Sequence, residues 1–196
     1  QVLGVFGEAV PACCQILVDL VNSSRQDHII QEAVIAFRDM IRTYPQLAPN
    51  VISTLLEVSE CIMEPEARAA FVWIVGEVYE FVQGDSPGPS SQALNGFLQY
   101  FVDVFLEEPI PVQLQIVTCI VKCFLKAPIH NQQLVTDIFR LATTAVEHPD
   151  VRDKALIYWR LLSTNPEETR RIVLGHRVSL SPSATNFDPS FLSRLM

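Results

Sequence analysis

Glu66-Ala67-Arg68-Ala69-Ala70-Phe71-Val72-Trp73-Ile74-Val75-Gly76-Glu77 is the stretch whose reading decides the fold. Ala67, Ala70, Phe71, Ile74 and Val75 recur at spacings of three and four, which puts them on one stripe of a helix. Pro65 just upstream suits a first helical turn. Two further stretches repeat the pattern: Val112-Gln113-Leu114-Gln115-Ile116-Val117-Thr118-Cys119-Ile120-Val121-Lys122 and Val151-Arg152-Asp153-Lys154-Ala155-Leu156-Ile157-Tyr158-Trp159-Arg160. A weaker copy starts at Ile29, so the four copies begin at intervals of about 40 residues. Helix pairs at that period predict an all-α fold, a HEAT/armadillo-like right-handed α-solenoid of stacked antiparallel helix pairs. Such folds bind other proteins along extended surfaces.

Outward from these copies, the periodicity predicts helices over Gly4–Val21, Asp27–Thr43, Pro49–Met63, Pro65–Phe81, Gln92–Glu107, Pro111–Lys126, Asn131–Glu147, Pro149–Leu162 and Pro166–Leu174. The first is expected to be interrupted near Pro11, because proline removes a backbone donor. Prolines punctuate the joins, since the residue before proline avoids the helical region. Gln83-Gly84-Asp85-Ser86-Pro87-Gly88-Pro89-Ser90-Ser91 reads as a loop on its glycine, proline and serine content. Residues 1–175 are therefore expected to be solenoid and residues 176–196 an irregular tail. Within the tail Asp188–Met196 can form a short helical turn with Phe191, Leu192 and Leu195 on one face, and those three are the candidate partner-binding residues. Gln1 is not an initiator and helix starts almost at once, so the chain reads as a piece of a longer protein.

The bulk numbers narrow the function classes. The chain of 196 residues is 49% hydrophobic and 18% charged, with a net charge of −8. Average domains carry about 25% charged residues, and the shortfall fits repeats that hide one helix of each pair. A nucleic-acid partner is not expected, because the densest cationic stretch is only Arg170, Arg171 and Arg177 around His176. The longest apolar run, Ala69–Val75, falls well short of the roughly 18 residues of a membrane span. No basic start with a cleavage site marks a signal peptide. Cys13, Cys14, Cys61, Cys119 and Cys123 form no CxxC and sit in apolar helical contexts, so they read as reduced, buried thiols of an intracellular protein.

No catalytic, cofactor-binding or metal-binding residue is assigned. A zinc site wants four ligands, and Cys119 and Cys123 have no histidine near them in sequence. His28, His130, His148 and His176 are not at ligand spacing and mostly flank helix ends. Phosphate-cradling and nucleophile-elbow motifs are missing. Glu77, Glu80, Glu107 and Glu108 read as a charged outer face rather than an acid–base pair. Trp73 and Trp159 fall at nearly matching points of two repeats and are expected in the core. Arg68, Gln113 and Arg152 share the second position of their helices, where a long polar side chain can bond carbonyls of the preceding turn.

The Glu66–Glu77 stretch resembles the trunk of the beta subunits of adaptor protein complexes, the beta adaptins. Val112–Lys126 and Val151–Thr164 resemble the same family in the same order and spacing. The likeness covers roughly residues 25–175 well and the tail loosely, and generic HEAT repeats share neither Trp-Ile-Val-Gly-Glu nor Tyr-Trp-Arg-Leu-Leu-Ser. It implies the C-terminal half of a curved trunk in a heterotetrameric coat. That trunk pairs with a second large subunit, holds the medium subunit's N-terminal domain, and works with a small chain. It also implies recruitment by small GTPases or phosphoinositides to trans-Golgi network or endosomal membranes from the cytoplasm, sorting of transmembrane cargo, and no small-molecule substrate. The insertion at Gly84–Ser91 and the divergence of residues 178–196 depart from the clathrin-linked members and lean towards the fourth, clathrin-independent complex. The competing reading is a HEAT peptide receptor of the nuclear-transport type, or a regulatory scaffold of the phosphatase type.

Overall fold

Proline sets the joints of this molecule. In the computed structural model, which describes residues 2–23, 26–82 and 89–175, the chain folds as α1 (Val2–Ser23), α2 (Asp27–Thr43), α3 (Ala48–Glu57), α4 (Pro65–Val82), α5 (Pro89–Asp103), α6 (Ile110–Lys126), α7 (Pro128–Thr144), α8 (Pro149–Thr164) and α9 (Pro166–Val173). Single 3-10 turns occupy Pro45–Leu47 and Ser59–Cys61. Five of these helices begin on proline, whose missing N–H would have no partner in the first turn anyway. The residues before three joint prolines are pushed out of the helical region: Tyr44 to φ −131°, Ala127 to −139° and Asn165 to −153°. Asn165 also caps α9, its side chain accepting from the Glu168 N–H at 3.1 Å.

The helices stack in two layers. The even-numbered helices contact one another in sequence, α2 on α4, α4 on α6 and α6 on α8, while α1, α3, α5 and α7 neighbour one another on the other side. No strand occurs among the described residues. This is the HEAT/armadillo-like all-α solenoid expected from the repeats. One continuous apolar core runs between the layers from Cys14 to Ala155, with Phe37, Phe71, Tyr79 and Phe105 as its largest fully buried side chains. The backbones of α4 and α6 approach closely at Gly76. A Cβ built on Gly76 would stand 3.3 Å from both the Cα and the Sγ of Cys119. Glycine in a helix interior costs about 0.5–1 kcal/mol relative to alanine, and here it admits the neighbouring backbone.

Several expectations need correction. The first helix is not interrupted: α1 runs through Pro11, giving up one backbone hydrogen bond. The third helix ends at Glu57 rather than Met63, because Ser59 Oγ bonds the Leu56 carbonyl at 2.9 Å and the chain tightens into a 3-10 turn. That turn tucks Ile62 wholly inside. The fifth helix begins at Pro89 and stops at Asp103, leaving a turn that buries Phe105. Trp159 is not core; it is 56% exposed, since only the short α9 follows α8 among the described residues. Trp73 is half-buried against the core, in the interior of the stack. Cys13 is exposed and Cys61 half-buried, while Cys14, Cys119 and Cys123 are buried. The tail residues Phe191, Leu192 and Leu195, the boundary at 176 and most of the Gly84–Ser91 stretch lie outside the described residues.

Candidate partner-binding surface

Repeat proteins bind with surfaces held in register by their joins, so the joins come first. Arg68, in the first turn of α4, reaches the turn before α6. Its Nε donates to Glu108 Oε1 at 2.7 Å and Oε2 at 2.9 Å, and its Nη1 to the Ile62 carbonyl at 3.2 Å. Its Nη2 donates to the Tyr100 hydroxyl at 3.3 Å, and the guanidinium stands 5.4 Å from the Phe101 ring centre. Burial on its own would lower the guanidinium's pKa, but the hydrogen bonds to Glu108 and Tyr100 outweigh it and hold it above the ordinary arginine value. Gln113, the equivalent residue of α6, donates to the Phe105 carbonyl at 3.0 Å. The bonding of preceding-turn carbonyls expected at this position is therefore seen for Arg68 and Gln113, whereas Arg152 is exposed. Glu108 is not part of a charged outer face; it is buried against its arginine.

A second set of bonds crosses from α6 to α4. Lys122 Nζ bonds Glu77 and lies 5.8 Å from the Trp73 ring centre. Lys126 Nζ donates to the carbonyls of Gly76 at 3.2 Å and Glu77 at 2.9 Å. Glu77 thus belongs to an inter-repeat join, not to solvent. Burial pushes the Lys126 ammonium down, and the charges of Glu77 and Glu80 pull it partly back. Lys154 on α8 is pushed down by burial and by the positive charge of Lys122. Asn131 in α7 is buried with Nδ2 2.8 Å from the Tyr79 hydroxyl, 3.1 Å from the Cys123 carbonyl and 3.0 Å from the Ala127 carbonyl. It pins the α6–α7 turn to α4. Arg170 of α9 donates to the Leu125 carbonyl at 2.6 Å. Sequence reasoning missed Glu108, Lys122, Lys126 and Asn131, whose partners stand 40 to 52 residues away except for local carbonyls.

Two grooves open on this scaffold. One, of about 680 Å³, runs along the even-numbered layer between Arg38 and Arg42 of α2, Glu66 and Trp73 of α4 and Gln115 of α6. Arg38 is partly engaged, at 3.0 Å from Asp39 and 3.9 Å from Glu66. The other, of about 440 Å³, lies where α7, α8 and α9 meet, with Phe124, Phe139, Trp159 and Leu162 on its walls and Arg170 at its rim. Among the described residues no three His, Cys, Asp or Glu side chains converge as a metal site would require, and no helix is long and apolar enough to cross a membrane.

A two-layer helical stack with period near 40, cross-tied by buried ion pairs and carrying open grooves, defines a solenoid scaffold. Residues 5–166 match the family model described as the adaptin N terminal region, and the chain belongs to the adaptin family. Among its relatives are beta subunits. It is 38% identical over 96% of its length to AP-1 complex subunit beta-1 of Rattus norvegicus, and 38% identical over 94% to AP-1 complex subunit beta of Dictyostelium discoideum. It is 34% identical over 94% of its length to AP-2 complex subunit beta of Schizosaccharomyces pombe. The chain spans 19%, 18% and 26% of those relatives' own lengths.

Proposed function

We propose that the chain is a non-catalytic scaffold segment of a vesicle-coat adaptor complex, assembling with a second large, a medium and a small subunit to sort transmembrane cargo. The observation that carries this reading is the adaptin match over residues 5–166, coinciding with the part of the chain whose repeats are locked in register. In this role the joins do the work. Arg68–Glu108 and Lys122–Glu77 hold α4 and α6 as one rigid plate, so a partner meets a preformed surface and little ordering entropy is lost on binding. Membrane recruitment, through a small GTPase acting on the assembled complex, would hold it on the cytoplasmic face of trans-Golgi network or endosomal membranes. The solenoid would occupy residues 1–175 and the tail residues 176–196.

The test is affinity capture from cell lysate with the 196-residue chain, read by mass spectrometry. Recovery of a medium, a small and a second large adaptin is the expected result. Their identities name the complex, and those of the fourth adaptor complex would bear out the lean drawn from residues 84–91 and 178–196. Recovery of nuclear-transport cargo or phosphatase subunits would overturn the adaptor reading while leaving the solenoid standing.

A further inference from the structure

One edge of the stack brings the α3–α4 and α5–α6 joins together, because Arg68 bonds both. Its Nη1 donates to the Ile62 carbonyl, its Nη2 to the Tyr100 hydroxyl and its Nε to Glu108. Met63, Leu106 and Ile110 stand one or two residues from these partners. The joins share a local pattern: Glu60-Cys61-Ile62-Met63-Glu64 and Asp103-Val104-Phe105-Leu106-Glu107 each set a buried apolar residue, then an exposed one, between carboxylates. Ile62 and Phe105 enter the core, whereas Met63, Leu106, Tyr100 and Ile110 are between 39% (Ile110) and 69% (Met63) exposed. Four apolar side chains gathered around one guanidinium make a patch, and such patches ordinarily mark a contact site. Its surroundings are negative. Glu57, Glu60, Glu64, Asp103 and Glu107 are exposed and form no ion pair among the described residues, while Arg68 is matched by Glu108 and Glu66 stands 3.9 Å from Arg38. At the same edge the buried amide of Gln113 donates to the Phe105 carbonyl, and its acceptor Oε1 has no donor among the described residues.

We propose that these two joins form a docking surface for a basic amphipathic helix of a partner protein. The helix's apolar stripe covers Met63, Tyr100, Leu106 and Ile110, and its lysines or arginines meet Glu60, Glu64, Asp103 and Glu107. Charge complementarity selects this occupant. A surface whose free charges are all carboxylates repels anionic lipid headgroups and nucleic-acid phosphates, and it steers a cationic partner towards itself before contact. The interleaving of apolar and acidic residues selects an amphipathic helix, which carries apolar anchors at i, i+3, i+4 and i+7 with charged residues alongside. The seat is rigid, since Arg68 ties both joins to one point and holds the exposed residues at a fixed spacing. Little ordering entropy is therefore lost on the solenoid's side when a helix lands. Tyr100 suits a contact of this kind: its hydroxyl already accepts from Arg68, and its ring is free to pack. The inference goes beyond the adaptor reading and does not rest on it.

The experiment titrates the 196-residue chain against a labelled synthetic helix of about 18 residues, five turns long, with leucines at i, i+3, i+4 and i+7 and lysines elsewhere. Fluorescence polarisation should show saturable binding that Met63→Lys/Leu106→Lys weakens at least about tenfold. The control is Ile129→Lys/Ile157→Lys, which makes the same charge change at apolar residues exposed elsewhere and should stay within about twofold of the parent. Glu64→Gln/Glu107→Gln alters only exposed groups and leaves the apolar residues in place. It should weaken binding about threefold or more at low salt, and the loss should shrink as salt rises. No saturation by about 1 mM peptide would overturn the proposal. So would equal losses in the two lysine variants, which would mean attraction to the chain's net charge alone. Indifference to Glu64→Gln/Glu107→Gln, or equal binding of a peptide with glutamates in place of the lysines, would remove the charge complementarity and overturn it as well.

Discussion

Removing one side of the Arg68–Glu108 pair should loosen the middle of the stack more than any other polar substitution. The side chains are 14% and 7% exposed, so water screens the pair little. Arg68→Met removes the Nε–H bond shared by the two Glu108 oxygens at 2.7 and 2.9 Å and the bond to the Ile62 carbonyl, and strands a buried carboxylate. Breaking a buried pair from one side costs about 3–5 kcal/mol. For a chain of this size each kcal/mol shifts the midpoint by about 2–4 °C, so Arg68→Met should melt about 6–20 °C lower by circular dichroism. Glu108→Leu, which leaves the arginine without its anion, should lose a similar amount. The double variant Arg68→Met/Glu108→Leu leaves no orphan charge and should sit within about 1.5 kcal/mol of the parent. The coupling between the two changes should therefore be at least about 4.5 kcal/mol and nearly insensitive to added salt. Single effects that add to the double within about 0.5 kcal/mol would refute the claim that this pair locks one repeat to the next.

Four further outcomes follow from the packing and the charges. Gly76→Val should destabilise by about 1–3 kcal/mol in urea unfolding, because the new side chain enters space held by the Cys119 backbone; an unchanged midpoint would mean the helices can part freely. Trp159→Ala should cost less than about 1.5 kcal/mol, against about 3–5 for a fully buried ring, as its 56% exposure requires. Lys154 holds its proton less tightly folded than unfolded, so the penalty is fully present below its lowered native pKa and is relieved as pH rises towards the ordinary 10.5. Lys154→Gln should therefore raise stability at neutral pH and flatten the alkaline rise in the melting profile. A thiol reagent should label Cys13 quickly, Cys61 slowly, and Cys14, Cys119 and Cys123 only on unfolding, since burial pushes the Cys14 and Cys123 thiols up.

Helix positions could be read from the sequence because proline and the three-four apolar spacing act locally. The α2 span coincides with the expected Asp27–Thr43, and α4 differs by one residue at its end. Burial could not be read so well, because it depends on what stacks above a helix. Trp73 and Trp159 fall at nearly matching points of their repeats but two helix positions apart; the residue of α4 that corresponds to Trp159 is Val75, fully buried in the interior of the stack, whereas Trp159 lies beside the short α9 and is exposed. Glu108 looked like a solvated helix end for the same reason: its arginine is 40 residues away. Cys13 and Cys14 share an apolar neighbourhood in sequence, but adjacent helix positions point about 100° apart and only Cys14 meets the core. The adaptin likeness was visible in the conjunction of three motifs, whereas the grooves, built from three helices at a time, have no linear signature.

Among the described residues, the cross-repeat bonds between α4 and α6 are not matched along α1 or α9; α9 reaches the Leu125 carbonyl through Arg170. Wear should accordingly begin at the extremities. A protease or a mechanical load would peel helices away from either end while the α4–α6 plate stayed intact, so the last fragment to survive digestion should be the one centred on Gly76 and Cys119.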